Sequence, residues 1–220
     1  REGFKARSSQ PLGHRLRVSR DNRWAVWSGD SRLDVIELEG RLKPRAVDLK
    51  GQMVFDVAVS GAMDMLALAQ WGQLTFFGLS DGWRFGRLRR QDDDFTWCGL
   101  SGGRAAYITA GNKYAVYRVE RKVMPDRWEQ VAAGELKVKG ALRDCEASLS
   151  PDGGLLAVRH RKREVVVLDL EQGTEQHLGR HTDKVNLVKF INNGRRLVTA
   201  DDDNRVIFWP CEEHRIISGE

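Results

Sequence analysis

The stretch LGRHTDKVNLVKFINNGRRLVTADDDNRVIFW, residues 178–209, shows the clearest structural pattern in the sequence. It holds three short segments rich in β-branched and aromatic residues, VKFI, RLVTA and RVIFW, which alternate with polar turns. An Asn-Gly turn joins the first two segments, and an acidic run joins the second to the third. Short segments of this kind, bounded by Gly, Asn and Asp, predict β-strands connected as hairpins. The stretch therefore predicts a three-stranded antiparallel unit.

The same unit occurs four more times along the chain. When the repeats are aligned on one residue of the third strand, successive intervals are 41, 40, 51 and 41 residues, and the aligned residues are Ile36, Phe77, Tyr117, Leu168 and Trp209. Each third strand is followed by a further strand-like segment, such as PRAVDL or TEQHLG. A period near forty with four strands in each repeat is typical of the blades of a β-propeller. No helical periodicity competes with this pattern.

The predicted fold class is therefore all-β, a β-propeller with about five four-stranded antiparallel blades. The expected blades cover residues of about 14–50, 53–90, 94–139, 142–180 and 183–218, and residues 1–13 are expected to form the outer strand of a preceding or closing blade. Five blades either close a ring alone or belong to a six- to eight-bladed propeller completed by a longer polypeptide or by another chain. The start without Met favours a piece of a longer polypeptide.

Composition limits the class of protein. At 220 residues and 41% hydrophobic content, the chain can bury a substantial core. Lys and Arg exceed Asp and Glu by 36 to 31, so negatively charged partners are allowed but not required. Cys98, Cys145 and Cys211 are too few and too scattered for a disulfide framework and are expected to be buried thiols. No apolar run reaches the ~18 residues of a membrane helix and no signal peptide opens the chain, which predicts a cytoplasmic protein without a membrane partner.

The opening stretch resembles the WD-repeat family. The resemblance rests on a Gly-x-His start at Gly179, an Asn-Gly turn, an Asp after the second strand, and a third strand that ends on Trp209. It implies a hydrogen-bonded chain within the blade, in which Asp203 accepts from His181, and His181 connects through Thr199 to the indole of Trp209. Such a chain would give each of these buried polar groups a partner.

The resemblance is confined to the last repeat. At the position of Asp203 the earlier repeats carry Asp30, Trp71, Gly111 and Lys162, so at least three of them lack the carboxylate. In the last repeat, Arg180 precedes His181 where the family usually has Gly, and Pro210 follows Trp209. The other four blades are therefore expected to be held by packing alone.

Function in a propeller is expected in its loops, because the strands are scaffold. In this topology, the turns between second and third strands share one face with the segments that lead into each first strand. The candidates for partner binding on that face are the basic residues Arg159, Arg161, Lys162 and Arg163, the acidic residues Asp201, Asp202, Asp92, Asp93 and Asp94, and the aromatic Trp71. A surface of both charge signs suits a charged protein or peptide partner. The alternative is that the basic turn is only a solvated loop.

The 51-residue interval marks an insertion on the opposite face. About ten extra residues follow Tyr117 in the segment VERKVMPDRWEQ, between a third and a fourth strand. Met and Trp are enriched in interface cores, so Trp128 is a further candidate for partner binding. The alternative is that Trp128 packs against its own blade.

No pattern in the sequence indicates catalysis. The five histidines show no ligand-like spacing with carboxylates, and no phosphate-binding glycine loop or nucleophile motif is present. No catalytic residue, metal or cofactor is predicted. The predicted function is a non-catalytic protein–protein interaction scaffold, or a sensing and regulatory module of a larger protein or multisubunit complex. The partners would be other proteins or the rest of a longer polypeptide. The alternative function is a nucleic-acid-binding platform that uses the basic turn at 159–163.

Overall fold

In a computed structural model, the chain folds into five four-stranded antiparallel sheets, here called sheets 1 to 5 in chain order. The structure describes residues 15–29, 32–81, 84–90, 93–120, 123–137, 145–179, 181–212 and 215–216. In every sheet the strands are neighbours in the order in which they occur in the sequence. This architecture confirms the predicted class of fold. The prediction for residues 1–13 lies outside the described part of the chain.

The strands follow the predicted segments closely. Sheet 1 contains β1 (Arg15–Val18), β2 (Trp24–Ser28), β3 (Arg32–Glu37) and β4 (Arg45–Asp48). Sheet 2 contains β5 (Val54–Ser60), β6 (Met65–Gln70), β7 (Gln73–Gly78) and β8 (Arg84–Arg89). Sheet 3 contains β9 (Phe95–Ser101), β10 (Arg104–Thr109), β11 (Lys113–Arg118) and β12 (Glu129–Glu135). Sheet 4 contains β13 (Ala147–Leu149), β14 (Leu155–His160), β15 (Glu164–Asp169) and β16 (Glu175–Gly179). Sheet 5 contains β17 (Val185–Ile191), β18 (Arg196–Asp201), β19 (Val206–Glu212) and β20 (Arg215–Ile216).

Helical structure in the described residues is limited to two single 3₁₀ turns, Pro125–Arg127 and Asn192–Gly194. Neither turn has the length and apolar character needed to cross a membrane.

The strand register reproduces the alignment of the repeats. The aligned third-strand residues pair with second-strand residues at one equivalent position in each sheet: Ala25 with Ile36, Leu66 with Phe77, Ala105 with Tyr117, Leu156 with Leu168, and Leu197 with Trp209. Because a shift of one residue would reverse the two faces of a strand, this agreement means that equivalent residues of different sheets point in equivalent directions.

Recurrent turns between first and second strands have a local chemical cause. In sheet 1 the hydroxyl of Ser19 bonds to the carboxylate of Asp21 and accepts from the backbone N–H of Trp24 at 2.9 Å. In sheet 4, Ser150 bonds to Asp152 and accepts from the backbone N–H of Leu155 at 2.8 Å. Ser and Asp side chains stabilise tight turns by such bonds to nearby backbone groups. The Ser-x-Asp sequence thus fixes where the first hairpin turns in sheets 1 and 4.

Four hydrophobic clusters hold successive sheets together. They lie between sheets 1 and 2, 2 and 3, 3 and 4, and 4 and 5. Strands β6 and β14 are buried along their whole length because both of their faces meet a neighbouring sheet. Among the residues that the structure describes, no comparable cluster joins sheet 5 to sheet 1.

A buried carboxylate connects the first strands of three sheets. Asp56 of β5 accepts from the guanidinium of Arg17 in β1 at 3.0 Å, and from the backbone N–H of Cys98 in β9 at 3.2 Å. A buried charge is tolerated when an opposite charge and hydrogen bonds compensate its loss of water. Asp56 therefore fixes the relative position of the inner strands of sheets 1, 2 and 3.

Candidate interaction surfaces

A hydrogen-bonded chain crosses sheet 5. The indole Nε1 of Trp209 donates to Thr199 Oγ1 at 2.8 Å, Thr199 Oγ1 lies 2.7 Å from His181 Nε2, and His181 Nδ1 lies 2.9 Å from Asp201 Oδ2. An ionised carboxylate only accepts and an indole only donates, so a neutral His181 with its proton on Nδ1 gives every polar atom a partner. The four residues are buried.

The carboxylate of this chain is Asp201, and the prediction of Asp203 is wrong. Strand β18 extends one residue beyond the predicted segment and ends at Asp201, which keeps that side chain on the inner side. Asp201 also accepts from the backbone N–H groups of Asp203 and Arg205, at 3.2 and 2.9 Å. Asp203 lies in the following turn and is exposed. The interpretation of Asp201 as a solvated residue available to a partner is therefore wrong as well.

The environment of Asp201 favours its ionised form. Burial raises the pKa of this carboxyl, but the hydrogen bond from His181 and those from the backbone N–H groups of Arg205 and Thr182 outweigh burial and lower the pKa to about 2. Asp201 thus stays charged over the whole range in which proteins normally work.

Acidification should remove the stabilising effect of Asp201. Because its pKa is lower in the folded chain than its ordinary value of 3.8, the contribution is complete above that value and is lost as the pH falls towards about 2. We expect Asp201→Asn to be clearly less stable than wild type at about pH 6, with a smaller difference at about pH 2.5. Urea unfolding followed by circular dichroism measures both differences. The control Asp203→Asn should match wild type at both pH values, and equal losses from the two variants would contradict the assignment.

The loop face is the face that carries the turns between second and third strands and the segments leading into first strands. Contacts between sheets 4 and 5 show this arrangement. The turn between β14 and β15 contacts the segment before β17: Lys162 Nζ lies 3.1 Å from a carboxylate oxygen of Asp183, and the Lys162 carbonyl accepts from the backbone N–H of Val185 at 2.8 Å. At the start of β17, the side-chain amide of Asn186 donates to Asp202, in the turn between β18 and β19, at 2.8 Å. Turns between second and third strands therefore do lie beside the segments that lead into first strands.

The basic candidates on this face have different environments. Arg161, Lys162 and Arg163 are exposed. Arg159 is buried, and its guanidinium donates to the carbonyl oxygen of Val185 at 2.9 Å, so the prediction that it binds a partner is wrong. It is the penultimate residue of β14, with its side chain directed at sheet 5 rather than at solvent. The exposed basic residues of this turn are consequently Arg161, Lys162 and Arg163, of which Lys162 is paired with Asp183.

The acidic run before β9 is partly used by the fold. Asp93 accepts from the hydroxyl of Thr109 and from the backbone N–H of Gly111 at 2.8 Å, and is half-buried. Asp94 is half-buried and its carbonyl accepts from the backbone N–H of Ala110. The prediction for Asp92 lies outside the described residues. This run therefore ties β9 to the β10–β11 turn.

Trp71 is an exposed aromatic at the β6–β7 turn. Its side chain is 64% exposed, and its ring centroid lies 6.3 Å from that of Phe55. The next residue, Gly72, has a φ of +58°, which the two-residue turn requires. Trp71 remains a candidate for partner binding on the loop face.

The insertion in sheet 3 packs onto sheet 2, and the prediction of Trp128 as a docking residue is wrong. Trp128 is buried, with its ring centroid 4.8 Å from that of Phe76 in an edge-to-face arrangement. Its indole N–H is shared between the carbonyl oxygens of Glu120 and Val123, at 3.1 and 3.0 Å. The approach is close enough that a Cβ on Gly86 would lie 2.2 Å from Pro125. Trp128 thus binds the neighbouring sheet and not only its own.

The outer face of sheet 5, defined here by Leu187, Val206 and Phe208, is apolar and exposed. Phe208 is 47% exposed and Val206 is 51% exposed. The residues that occupy the position of Phe208 in the other sheets are almost fully buried: Val35 at 6%, Phe76 at 0%, Val116 at 0% and Val167 at 3%. Those residues face the next sheet along the chain, whereas no sheet beyond sheet 5 is among the described residues.

The outer face of sheet 1, defined by Leu16, Val18, Ile36 and Leu38, is exposed in the same way. Leu16 is 56% and Leu38 is 52% exposed. Their counterparts in sheet 2, Val57 and Leu79, are each 1% exposed. Both end sheets therefore present the side chains of a sheet-to-sheet interface without a described neighbour. Sequence reasoning missed these faces because alternation of residues does not show which sheet lacks a neighbour.

No family model and no curated protein matches this sequence. Two solved structures with a similar fold are a chain of the structure titled "Crystal Structure of Mitotic Checkpoint Complex" and the β-propeller domain of Cps50 (Swd1) from Myceliophteria thermophila. The first has 12% identity and a TM-score of 0.69, and the similarity covers 93% of this chain and 62% of that one. The second has 13% identity and a TM-score of 0.66, and the similarity covers 92% of this chain and 66% of that one. This chain spans less than two thirds of the length of each. At these identities the similarity shows the fold, a β-propeller.

Proposed function

We propose that this chain is a propeller segment of WD-repeat type that acts as a non-catalytic protein-interaction module within a larger assembly. The observation that carries the proposal is the pair of exposed apolar faces on sheets 1 and 5. Exposed contiguous apolar surface marks interaction sites, and here the residues at the position of Phe208 in sheets 1 to 4, and those at the positions of Leu16 and Leu38 in sheet 2, are almost fully buried against a neighbouring sheet. Further protein packed on these two faces would bury them.

Two further observations support this proposal. The hydrogen-bonded chain from Trp209 to Asp201 is the feature that the WD-repeat resemblance implies, with Asp201 in the acidic role. One of the two solved structures with a similar fold carries a title that names a protein complex. Both fit a module whose strands serve as scaffold and whose surfaces bind other proteins.

The charges of the loop face favour a protein partner over nucleic acid. Lys162 is already paired with Asp183, and Asp202 lies on the adjacent turn, so a phosphate backbone would meet carboxylates beside Arg161 and Arg163. Nucleic-acid binding without sequence specificity needs several phosphate contacts along one surface and aromatic side chains for stacking. On this face a partner of mixed charge is better matched.

Affinity capture from the native cell extract, with and without nuclease, tests the proposal. We expect wild type to retain a stoichiometric protein companion after nuclease treatment and the double variant Val206→Lys/Phe208→Lys to lose it, because two charges would have to be buried against an apolar face. Met124→Lys is the matched control, since Met124 is 52% exposed but lies on the insertion.

A second variant separates the end faces from the loop face. Charge reversal of Arg161, Lys162 and Arg163 to Glu should reduce capture if the loop face contributes to binding, and should leave it unchanged if only the end faces do. Loss of every companion on nuclease treatment would favour nucleic acid instead. A companion that is indifferent to both variants would contradict the proposal.

A further inference from the structure

Sheet 4 carries two histidines and a glutamate on one face. His160 is the last residue of β14, Glu164 is the first residue of β15, and His177 lies in β16. The register places His160 opposite Glu164, and His177 opposite Val166. Since residues two apart on a strand share a face, and paired residues of neighbouring strands do too, all three side chains project from the same side of the sheet.

The potential ligand atoms of these side chains converge. All lie within 4.8 Å of one another, and His160 Nε2 is 3.8 Å from Glu164 Oε2. The two imidazole centroids are 5.3 Å apart, with the rings nearly perpendicular. A separation of 3.8 Å is too long for a hydrogen bond, so the carboxylate and the imidazole face each other without a direct bond.

We propose that His160, Glu164 and His177 bind a Zn²⁺ ion. Zinc bonds of about 2.0–2.1 Å to imidazole nitrogen and carboxylate oxygen place tetrahedral ligand atoms roughly 3.3 Å apart, so a movement of about 1.5 Å would complete the site. His177 is exposed and Glu164 is half-buried, which leaves both side chains free to move by this amount. Three protein ligands leave a fourth position for water.

The chemistry of the three side chains suits zinc better than a hard cation. Two imidazoles and one carboxylate favour zinc and similar transition metals, whereas Mg²⁺ and Ca²⁺ prefer oxygen ligands alone. A metal ligand imidazole binds in its neutral form, through the lone pair of one ring nitrogen. Glu164 supplies the negative charge that offsets the adjacent Arg161.

The location of the site gives it a structural consequence. His160 and Glu164 flank the turn Arg161, Lys162 and Arg163, so a bound ion would join β14, β15 and β16 at the base of the exposed basic turn. Sequence spacing gave no sign of this ligand set, because His177 is brought to His160 by two strand pairings across 17 residues of sequence.

Calorimetric titration with Zn²⁺ alone, after removal of metal by EDTA, tests the site. The chain should carry Cys211→Ser, because this partly exposed thiol is a competing zinc ligand. We expect one equivalent of Zn²⁺ to bind, and we expect His177→Ala and Glu164→Gln each to weaken binding by about 10- to 100-fold or more, since loss of even an outer-shell partner has that effect.

The controls make either result decisive. Glu135→Gln changes an exposed glutamate on another sheet and should leave the affinity unchanged. His177 is exposed, so its replacement should leave the circular dichroism spectrum as in wild type. The proposal is overturned if the Cys211→Ser chain binds no Zn²⁺, or if His177→Ala and Glu164→Gln in that chain bind it as tightly as Glu135→Gln does.

Discussion

Replacing Trp209 by Ala is expected to destabilise the protein by about 4 kcal/mol, the usual cost of truncating a buried tryptophan. The side chain is buried in the cluster between sheets 4 and 5, so its removal leaves a cavity there. Its loss also deprives Thr199 of the indole donor at the head of the hydrogen-bonded chain. For a chain of this size the melting temperature should fall by roughly 10 °C.

Two companion variants separate packing from hydrogen bonding at this position. Trp209→Phe retains most of the apolar volume but loses the indole N–H, so it should cost only about 1–2 kcal/mol. Phe208→Ala, one residue away on the opposite and exposed face, should cost less than about 1 kcal/mol. Urea unfolding of the three variants, followed by far-ultraviolet circular dichroism, measures the order. If Phe208→Ala were as damaging as Trp209→Ala, the assignment of the inner and outer faces of sheet 5 would be wrong.

Replacing Trp128 by Ala should destabilise the protein by a similar amount, about 4 kcal/mol. This tryptophan fills the space between the insertion and sheet 2, stacks edge-to-face on Phe76, and shares its N–H between two carbonyl oxygens. Its removal would leave a cavity at the cluster between sheets 2 and 3 and would deprive the carbonyl groups of Glu120 and Val123 of the indole donor, although the Glu120 carbonyl also accepts from the backbone N–H of Val123.

Trp71→Ala is the matched control, because it is the same substitution at a tryptophan that is largely exposed. It should change the free energy of unfolding by less than about 1 kcal/mol. Urea unfolding of both variants is the measurement. An equal, small effect of the two substitutions would mean that the insertion is detached from sheet 2, and would restore Trp128 as a docking residue.

The exposed faces of sheets 1 and 5 and the interfaces between successive sheets are formed by residues at equivalent positions, which are exposed in the first case and buried in the second. Phe76 and Phe208 occupy equivalent positions, yet one is fully buried and the other is nearly half exposed. Phe76 faces sheet 3, whereas Phe208 faces no sheet among the described residues. Substitutions at the interfaces between sheets should therefore change the free energy of unfolding. Substitutions on the exposed faces of sheets 1 and 5 should instead change the binding of a partner.

Local sequence patterns were sufficient to predict the strands, their order within each sheet and the alignment of the repeats. Strand alternation, the Asn-Gly turn and a period near forty are local properties that hold whatever the sheets pack against. Three members of the hydrogen-bonded chain could be predicted from the sequence for the same reason: His181, Thr199 and Trp209. Their spacing within one repeat carries the WD-repeat resemblance.

Which side chains those strands bring together or leave exposed depends on the packing of the folded chain. It placed Asp201 rather than Asp203 beside His181, because one extra residue of pairing in β18 keeps Asp201 inside and moves Asp203 into the turn. It turned Trp128 inward, because sheet 2 offers Phe76 as a packing partner. It also assembled His160, Glu164 and His177, and left Phe208 uncovered. Such contacts depend on pairing between distant segments and on the presence of a neighbouring sheet, and neither is encoded in a local pattern.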